Sequence, residues 1–281
     1  MAKQFTPKLS PRLEGIVELV PEGSRVADIG CDHGYISIAL VQRGLAVSSI
    51  ASDIKAGPLE QAVKNITKAG LNEKIETRLA PGITAIKSGE TDVIVIAGMG
   101  QRTIAEILTE NMDIAKEAKY LILQPQSELA DMRHFLLDNG FKLIKNKLMI
   151  EGDKYYIAMV ASATQDTYPG QDVNIAQVFR KRFEQMQDTP EIADVYETMD
   201  MLFGWDLIYT DPQLAYFLNH LDHEWSEALV KLNEAKKPDY DRIKEITSKV
   251  EAARLALEMN TTFCGVDRKL FETLGSEATF I

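Results

Sequence analysis

Two glycines and two aspartates near the start of the chain have the spacing of a nucleotide-type ligand site. Asp28 lies in an apolar run, RVADIG (25–30), which ends in Gly30, and Gly34 follows where a helix is expected to begin. Glycine at such a turn lets the backbone approach a ligand without a Cβ in the way. Asp53 ends the next apolar run, at a place where a carboxylate accepts hydrogen bonds from two ribose hydroxyls. The pattern predicts a site for an adenosine-bearing cofactor.

An acidic residue inside this turn indicates which cofactor fits. A dinucleotide site has the spacing G-x-G-x-x-G with the pyrophosphate at the helix N-terminus, whereas here three residues separate Gly30 from Gly34. Asp32 would repel a pyrophosphate, but its carboxylate suits a cation. S-adenosylmethionine carries a sulfonium and an ammonium group. The turn therefore favours S-adenosylmethionine and disfavours a nicotinamide oxidoreductase.

A second glycine-rich loop, Gly98-Met99-Gly100, directly follows the apolar run DVIVIA (92–97), which is typical of a strand buried on both faces of a parallel sheet. We interpret this loop as a backbone-lined slot for a flat base, where these three residues set the geometry of methyl transfer and no general base is supplied. Such a slot is sufficient when the methyl acceptor is a ring nitrogen. Adenine N1, for instance, already has a lone pair, so in-line positioning against the sulfonium can supply most of the catalysis. The alternative is a turn that only packing requires.

The elements that must position these loops alternate between short apolar runs and helical patterns, as in a parallel sheet with crossover helices. Five strands are predicted, at 25–30, 46–53, 75–79, 92–97 and 120–124. Four helices are predicted between and after them, at 35–43, 59–69, 103–111 and 127–139. Ser127 is the expected N-cap of the last helix.

Two further strands, 141–150 and 155–161, are joined by so short a connection that they must pair antiparallel. The predicted fold class is therefore α/β, with a Rossmann-like sheet that ends in an antiparallel hairpin. After residue 161 the strand patterns stop, and apolar residues three or four apart predict helices. These helices are expected at 174–187, 212–235 and 239–259, the last two as an antiparallel, coiled-coil-like pair. We divide the chain into a cofactor-binding catalytic domain, 1–161, and a helical domain, 162–281.

Composition excludes several classes of protein. Of the 281 residues, 45% are hydrophobic and 26% are charged, which is typical of a globular chain. No apolar run approaches the roughly 20 residues of a membrane span. The N-terminal residues lack the apolar stretch of a signal peptide, so we expect a soluble cytoplasmic protein. Cys31 and Cys264 make neither a disulfide framework nor a zinc site, and no metal is predicted.

The net charge of -11 is unevenly spread, with -1 on residues 1–160 and -10 on residues 161–281. Phosphate attraction supplies the sequence-independent part of nucleic-acid binding, so an acidic chain needs local basic groups to bind RNA. For each candidate, an ordinary solvated surface charge is the alternative. The candidate phosphate contacts are Arg12, Lys142, Lys145, Arg180 and Arg182.

The terminal hairpin resembles the end of the class I methyltransferase sheet, and several motifs narrow this resemblance. These motifs are D-I-G-C-D-H-G-Y at 28–35, I-A-G-M-G at 96–100, L-I-L-Q-P-Q at 121–126 and Phe203-Gly204 before two long helices. They are similar to those of the bacterial tRNA (adenine-22-N1)-methyltransferase family. The similarity covers most of residues 10–160 and, more loosely, 200–260.

The resemblance implies methyl transfer from S-adenosylmethionine to adenine N1 in tRNA, with the two-helix part gripping the tRNA. Gly98 and Met99 would line the transfer site. Such folds often carry an acidic or amide residue after the third strand, where this chain has Pro81-Gly82, so we expect a backbone amide at Gly82 to contact the adenine of the cofactor. Together with Asp32, predicted above, the implied cofactor contacts are Asp28, Gly30, His33, Gly34, Tyr35 and Asp53.

Two alternatives stay open from the sequence. The first is a methyltransferase that acts on a protein or a small molecule, which the acidic balance favours. The second is a non-catalytic, methyltransferase-like RNA-binding module, which the departure at Pro81 keeps open. The sequence does not assign an oligomeric state, and a monomer and a weak dimer are both compatible with it.

Overall fold

The computed structural model describes residues 5–171 and 190–265, and the chain divides into two units, Met1–Asn174 and Ile175–Ile281. Strands and helices alternate in the first unit. Its strands are β1 (Ser24–Ile29), β2 (Ala46–Asp53), β3 (Ile75–Leu79), β4 (Val93–Met99), β5 (Tyr120–Pro125), β6 (Lys142–Glu151) and β7 (Lys154–Ser162). Its helices are α1 (Pro11–Glu18), α2 (Tyr35–Gln42), α3 (Ala56–Ala69), α4 (Gln101–Glu110), α5 (Met112–Glu117) and α6 (Leu129–Asp138).

The seven strands form one sheet in the order β3-β2-β1-β4-β5-β7-β6. Strands β1 to β5 pair in parallel, and β7 pairs antiparallel with both β5 and β6. This confirms the predicted Rossmann-like sheet with a terminal antiparallel hairpin. The strand order reverses between β1 and β4, and in open α/β sheets ligands bind at the carboxyl ends of the strands beside such a reversal.

Apolar side chains cover both faces of this sheet. Residues of α1, α2 and α3 share a core with one face, and residues of α4 and α6 share a core with the other. Because both faces are covered, β4 is a continuous apolar strand, as its sequence predicts. Fully buried core residues include Ile16, Ile38 and Ile66 on the first face and Ile104, Leu108 and Leu136 on the second.

The start of α6 corrects one prediction. Ser127 does not cap this helix, because α6 begins at Leu129 and Glu128 occupies the cap position with a φ of 56° and no side-chain hydrogen bond. The physical reason is that pairing with β4 continues beyond the predicted end of β5, where the Gln126 N–H donates to the Met99 carbonyl over 2.9 Å. The residue directly before the predicted cap is therefore still held by the sheet.

The second unit is helical in its described part, which confirms the predicted helical region. Its helices are α7 (Pro190–Leu202), α8 (Trp205–Thr210), α9 (Leu214–Asn233) and α10 (Tyr240–Cys264). Helices α9 and α10 run antiparallel, and Arg254 on α10 donates to Asp222 on α9 over 2.8 Å and to Ser226 over 3.1 Å. Asp239 caps α10 by accepting from the Arg242 N–H at 3.0 Å. Coiled-coil-like packing of the pair stays a prediction.

Some sequence predictions fall outside the described residues. These are the helix predicted at 174–187 and the basic residues Arg180 and Arg182. In the ranges that are described, no helix is long and apolar enough to cross a membrane.

Candidate active site

The loop that joins β1 to α2, residues 30–34, lies at the carboxyl end of β1 and is called the glycine loop below. Gly30 and Gly34 have φ values of 72° and 70°, in the left-handed region that glycine adopts without strain. The N–H groups of Gly30 and Cys31 both donate to the Ser52 carbonyl, over 2.8 and 3.0 Å. These bonds fix the loop against the end of β2.

Asp53, the last residue of β2, connects the glycine loop to the start of the next segment. Its Oδ2 accepts from the Asp32 N–H at 3.3 Å, and its Oδ1 accepts from the Lys55 N–H at 2.8 Å. The residue is only 8% exposed, so its carboxylate is oriented by backbone donors. The structure thus brings together the acidic strand end and the glycine turn that the sequence analysis singled out.

Asp32 and His33 form the tip of the glycine loop. Asp32 has a φ of 49°, which is uncommon for a residue with a side chain, and its side chain is 67% exposed. His33 stacks on Tyr35 with ring centroids 5.3 Å apart. The Nδ1 atom of His33 is buried and has no hydrogen-bond partner among the described residues. A buried ring nitrogen of this kind is costly unless a ligand or water satisfies it, so the tip is suited to a polar ligand.

Asp28 lies in β1 just before the loop and is almost fully buried. Its Oδ2 accepts from both the N–H and the hydroxyl of Ser37, over 3.3 and 2.8 Å, and Ser49 donates to the Ser37 hydroxyl over 3.0 Å. Burial raises the pKa of Asp28 to about 6, although the hydrogen bonds from Ser37 oppose this effect. The ionised form of Asp28 beneath the loop therefore lowers the free energy of unfolding.

We expect Asp28→Asn to raise the free energy of unfolding at pH 7.5 by about 1–3 kcal/mol and to have little effect at pH 4. The raised pKa means that the folded protein binds more protons than the unfolded chain between about pH 4 and 6, so stability falls as pH rises through this window. Asparagine stays neutral and keeps an oxygen for Ser37. Urea unfolding at both pH values measures the difference, with the exposed Asp153→Asn as control. Equal effects at the two pH values would contradict the expectation.

The end of β4 meets the glycine loop. Strand β4 continues through Met99, so Gly98 and Met99 belong to the strand end, and the register with β5 shifts between Ala97 and Met99. A Cβ on Gly30 would stand 2.1 Å from the Met99 methyl group, so the Met99 side chain lies against this turn. A Cβ on Gly100 would meet no described atom within 4 Å, which leaves space beside it. The two predicted loops therefore meet at the carboxyl ends of β1 and β4. We call this place the crevice, because ligands of open α/β sheets bind in a crevice there.

Two exposed apolar residues beside Asp53 were not predicted from the sequence. Ile54 is 66% exposed and Leu79 is 59% exposed, and Leu79 is the register partner of Asp53. Apolar groups at the ends of adjacent strands offer contact area to a flat ring. Gly82, predicted for this contact, lies in a short 3-10 turn where a Cβ would stand 2.8 Å from Glu110 Oε2. An apolar residue directly after an acidic strand end is the signal that could have found Ile54.

Arg12 is the predicted substrate contact that the structure places at the crevice. Its Nη1 donates to Gln124 Oε1 over 2.9 Å and lies 3.2 Å from the position of a Cβ on Gly98. Gly98 has a φ of 77°, so a side chain there would be strained as well as crowded. The Arg12 guanidinium therefore packs on the strand end where transfer is predicted.

Lys142 and Lys145 lie elsewhere on the sheet. They belong to the amino-terminal half of β6, the edge strand, while the crevice is at the carboxyl ends of the parallel strands. Lys142 forms an ion pair with Asp166, and Lys145 Nζ lies 4.5 Å from the centroid of the Tyr168 ring. A contact between these lysines and a substrate stays a prediction.

The described residues contain no group of three or more His, Cys, Asp or Glu side chains that could hold a metal ion. Both cysteines are free thiols. Burial, together with the nearby carboxylates of Asp28 and Asp53, raises the pKa of Cys31 far above its usual range. Because the thiolate is the reactive form, this environment disfavours covalent catalysis by Cys31.

A comparison with protein families agrees with this geometry. Residues 9–159, more than half of the chain, match the family described as "Methyltransferase domain". The chain belongs to this methyltransferase family. The matched residues of the methyltransferase run from the segment before α1 to β7, so they include the glycine loop, Asp53 and the end of β4.

Individual relatives indicate which kind of methyltransferase this chain is similar to. The tRNA (adenine-22-N1)-methyltransferase of Bacillus subtilis is 39% identical over 156 residues, which are 56% of this chain and 66% of the relative. The crystal structure of the Bacillus subtilis m1A22 tRNA methyltransferase superposes with a TM-score of 0.71 and 28% identity, and the match covers 89% of this chain and 99% of that one.

A second solved structure is a candidate tRNA (m1A22) methyltransferase from Streptococcus pneumoniae in complex with S-adenosylmethionine. It superposes with a TM-score of 0.69 and 30% identity, over 89% of this chain and all of that one. Together these comparisons confirm the resemblance to the bacterial tRNA (adenine-22-N1)-methyltransferases that the motifs predict.

Proposed function

We propose that this methyltransferase transfers a methyl group from S-adenosylmethionine to N1 of an adenine in tRNA, at position 22. The observation that carries the proposal is the crevice in which Asp53, the glycine loop and Met99 meet. It lies in a chain similar over most of its length to solved m1A22 tRNA methyltransferases.

The residues of the crevice fit S-adenosylmethionine. Asp53 presents a carboxylate at the place where ribose hydroxyls bind in this fold class. The exposed carboxylate of Asp32 suits an ammonium group, and the unpartnered Nδ1 of His33 suits a polar group of the methionine part. Ile54 and Leu79 offer apolar contact to an adenine ring.

The chemistry needs positioning more than proton transfer. When bound, S-adenosylmethionine would supply a methyl group on a positively charged sulfur: a bond would form between adenine N1 and the methyl carbon as the bond from that carbon to sulfur breaks, and the electron pair of the broken bond would stay on sulfur. The open space beside Gly100 leaves room for a base, and Met99 lines the slot. Because N1 lies on the pairing edge of adenine, the base must leave its stack to reach this slot.

The proposed tRNA contacts are basic side chains, because RNA phosphates are negatively charged. Arg12 lies at the crevice and is proposed to bind an RNA phosphate. The other proposed phosphate contacts are Lys142, Lys145, Arg180 and Arg182. The helical unit, Ile175–Ile281, is proposed to grip the tRNA. A tRNA substrate also fits the cytoplasmic location that the sequence predicts.

Two measurements test the function against its alternatives. Calorimetry should show binding of S-adenosylhomocysteine and no binding of NAD. Incubation with labelled S-adenosylmethionine should then place label in unmodified bacterial tRNA and not in protein. Label in a protein fraction or in small molecules would favour a different methyl acceptor. Binding of S-adenosylhomocysteine without transfer to any acceptor would favour a non-catalytic module.

A further inference from the structure

The guanidinium of Arg12 is held by groups that do not cancel its charge. Its Nη1 donates to the neutral amide of Gln124 over 2.9 Å, and its Cζ lies 5.7 Å from the centroid of the Tyr156 ring. Among the described residues it has no carboxylate partner. A guanidinium has five N–H donors, so most of them stay open while the group is held in one place.

Gln124 is a polar residue in a strand that is otherwise apolar, YLILQP (120–125), and it is fully buried. Its Nε2 donates to the Pro125 carbonyl over 2.9 Å, which orients the amide so that Oε1 faces Arg12. A buried amide costs free energy unless its hydrogen bonds are made. Here the amide nitrogen donates to a backbone carbonyl, and the amide oxygen accepts from Arg12.

The helix that carries Arg12 is anchored independently of Gln124. Glu151 Oε2 accepts from the Ser10 hydroxyl at 2.8 Å and from the Arg12 backbone N–H at 3.4 Å, at the start of α1. A Cβ on Gly15 would stand 2.5 Å from Met149, so α1 packs closely on β6. The place of α1 therefore does not depend on Gln124, which acts on the guanidinium alone.

We propose that Gln124 is a positioning residue that aims the Arg12 guanidinium across Gly98, where its open N–H groups bind an RNA phosphate beside the target adenine. This inference rests on the proposed function. A guanidinium binds phosphate with paired, charge-assisted hydrogen bonds. A neutral amide holds the guanidinium without weakening this interaction, whereas a carboxylate in the same place would compete with the phosphate.

The first test is a double-mutant cycle on the full chain. Gln124→Met removes the acceptor and keeps a similar side-chain volume. We expect kcat/KM for tRNA to fall by roughly tenfold to a hundredfold, as for a misplaced positioning group, and the Kd for S-adenosylhomocysteine to stay unchanged. In the presence of Arg12→Ala, adding Gln124→Met should change kcat/KM little, because the group that it positions is gone.

The second test uses the salt dependence of tRNA binding, which reports how many phosphate groups the protein contacts. Arg12→Ala should lower the slope of log K against log salt by about 1, the contribution of one phosphate contact. Gln124→Glu, which sets a carboxylate against the guanidinium, should lower the slope in the same way. Arg43→Ala removes the same charge from an arginine that pairs with Glu14 at the far end of α2, and should leave the slope unchanged.

Several outcomes overturn the inference. One is unchanged kcat/KM in a folded Gln124→Met variant, and another is fully additive effects in the cycle. Arg12 lies on the half-exposed side of α1, so Arg12→Ala tests the phosphate contact on which the inference depends even if the Gln124 variants do not fold. An unchanged salt slope in Arg12→Ala would overturn the inference while methylation by the unchanged protein persists. Absence of that methylation would instead overturn the proposed function, and the inference with it.

Discussion

Asp53→Ala should weaken binding of S-adenosylmethionine and S-adenosylhomocysteine by about 10- to 100-fold, a loss of roughly 1–3 kcal/mol. Two ribose hydroxyls would lose a charged acceptor. The backbone N–H groups of Asp32 and Lys55, which now donate to this carboxylate, would lose their partner as well, so the glycine loop would be less well fixed. Calorimetric titration of S-adenosylhomocysteine measures the change.

Two further variants separate charge from loop geometry at this position. Asp53→Asn keeps one acceptor oxygen and the side-chain shape, so its loss of affinity should be smaller than that of alanine. Glu73→Ala removes an exposed acidic residue near the amino end of β3, at the opposite edge of the sheet, and should leave affinity unchanged. Unchanged affinity in Asp53→Ala would mean that the ribose does not bind at the end of β2.

Ending the chain after Asn174 should strongly reduce tRNA methylation while binding of S-adenosylhomocysteine persists. The residues named at the crevice all belong to the first unit. A second contact site on the same tRNA raises apparent affinity by orders of magnitude through effective concentration. We therefore expect the methylation rate at low tRNA concentration to fall on the order of 100-fold or more. Initial rates for the shortened and full chains, at equal tRNA, measure the effect.

The end point of this shortened chain matters for its folding. Tyr168 is buried, and its hydroxyl donates to the Leu19 carbonyl over 2.7 Å, while the Tyr120 hydroxyl donates to the Thr167 carbonyl over 2.9 Å. A chain that ended after residue 161 would lose both bonds and expose part of the core. Intact S-adenosylhomocysteine binding is the control for folding, and methylation at the full rate would contradict a tRNA-gripping role of the helical unit.

Local patterns predicted the sheet well because each strand carries its own signal. Strands β2 and β3 begin and end at the residues predicted for them. The connection of the final pair, predicted as four residues and two residues long in the structure, is short enough to force antiparallel pairing. Helix α5 (Met112–Glu117) was not predicted because it is short and Ala115 is the one residue that it buries. The predicted cap at Ser127 was wrong because strand pairing, which local sequence does not show, holds Gln126.

The candidate site likewise has one part that the sequence predicts and another that depends on the overall fold. The meeting of the glycine loop with Asp53 was predictable, since the carboxyl ends of neighbouring parallel strands lie at one edge of a sheet. The contact of Arg12 with Gln124 joins residues 112 positions apart and depends on how α1 packs, which no local pattern specifies. The exposure of Ile54 and Leu79 likewise follows from the surrounding fold and not from the residues themselves.

Methylation of adenine 22 at N1 in tRNA, the activity proposed for this chain, is tested most directly by one measurement. Two tRNA transcripts that differ only at position 22, adenine in one and guanine in the other, are incubated with the protein and labelled S-adenosylmethionine. Their nucleosides are then analysed. We predict labelled 1-methyladenosine from the first transcript and no label from the second. Equal labelling of both transcripts, or a labelled nucleoside other than 1-methyladenosine, would contradict the claim.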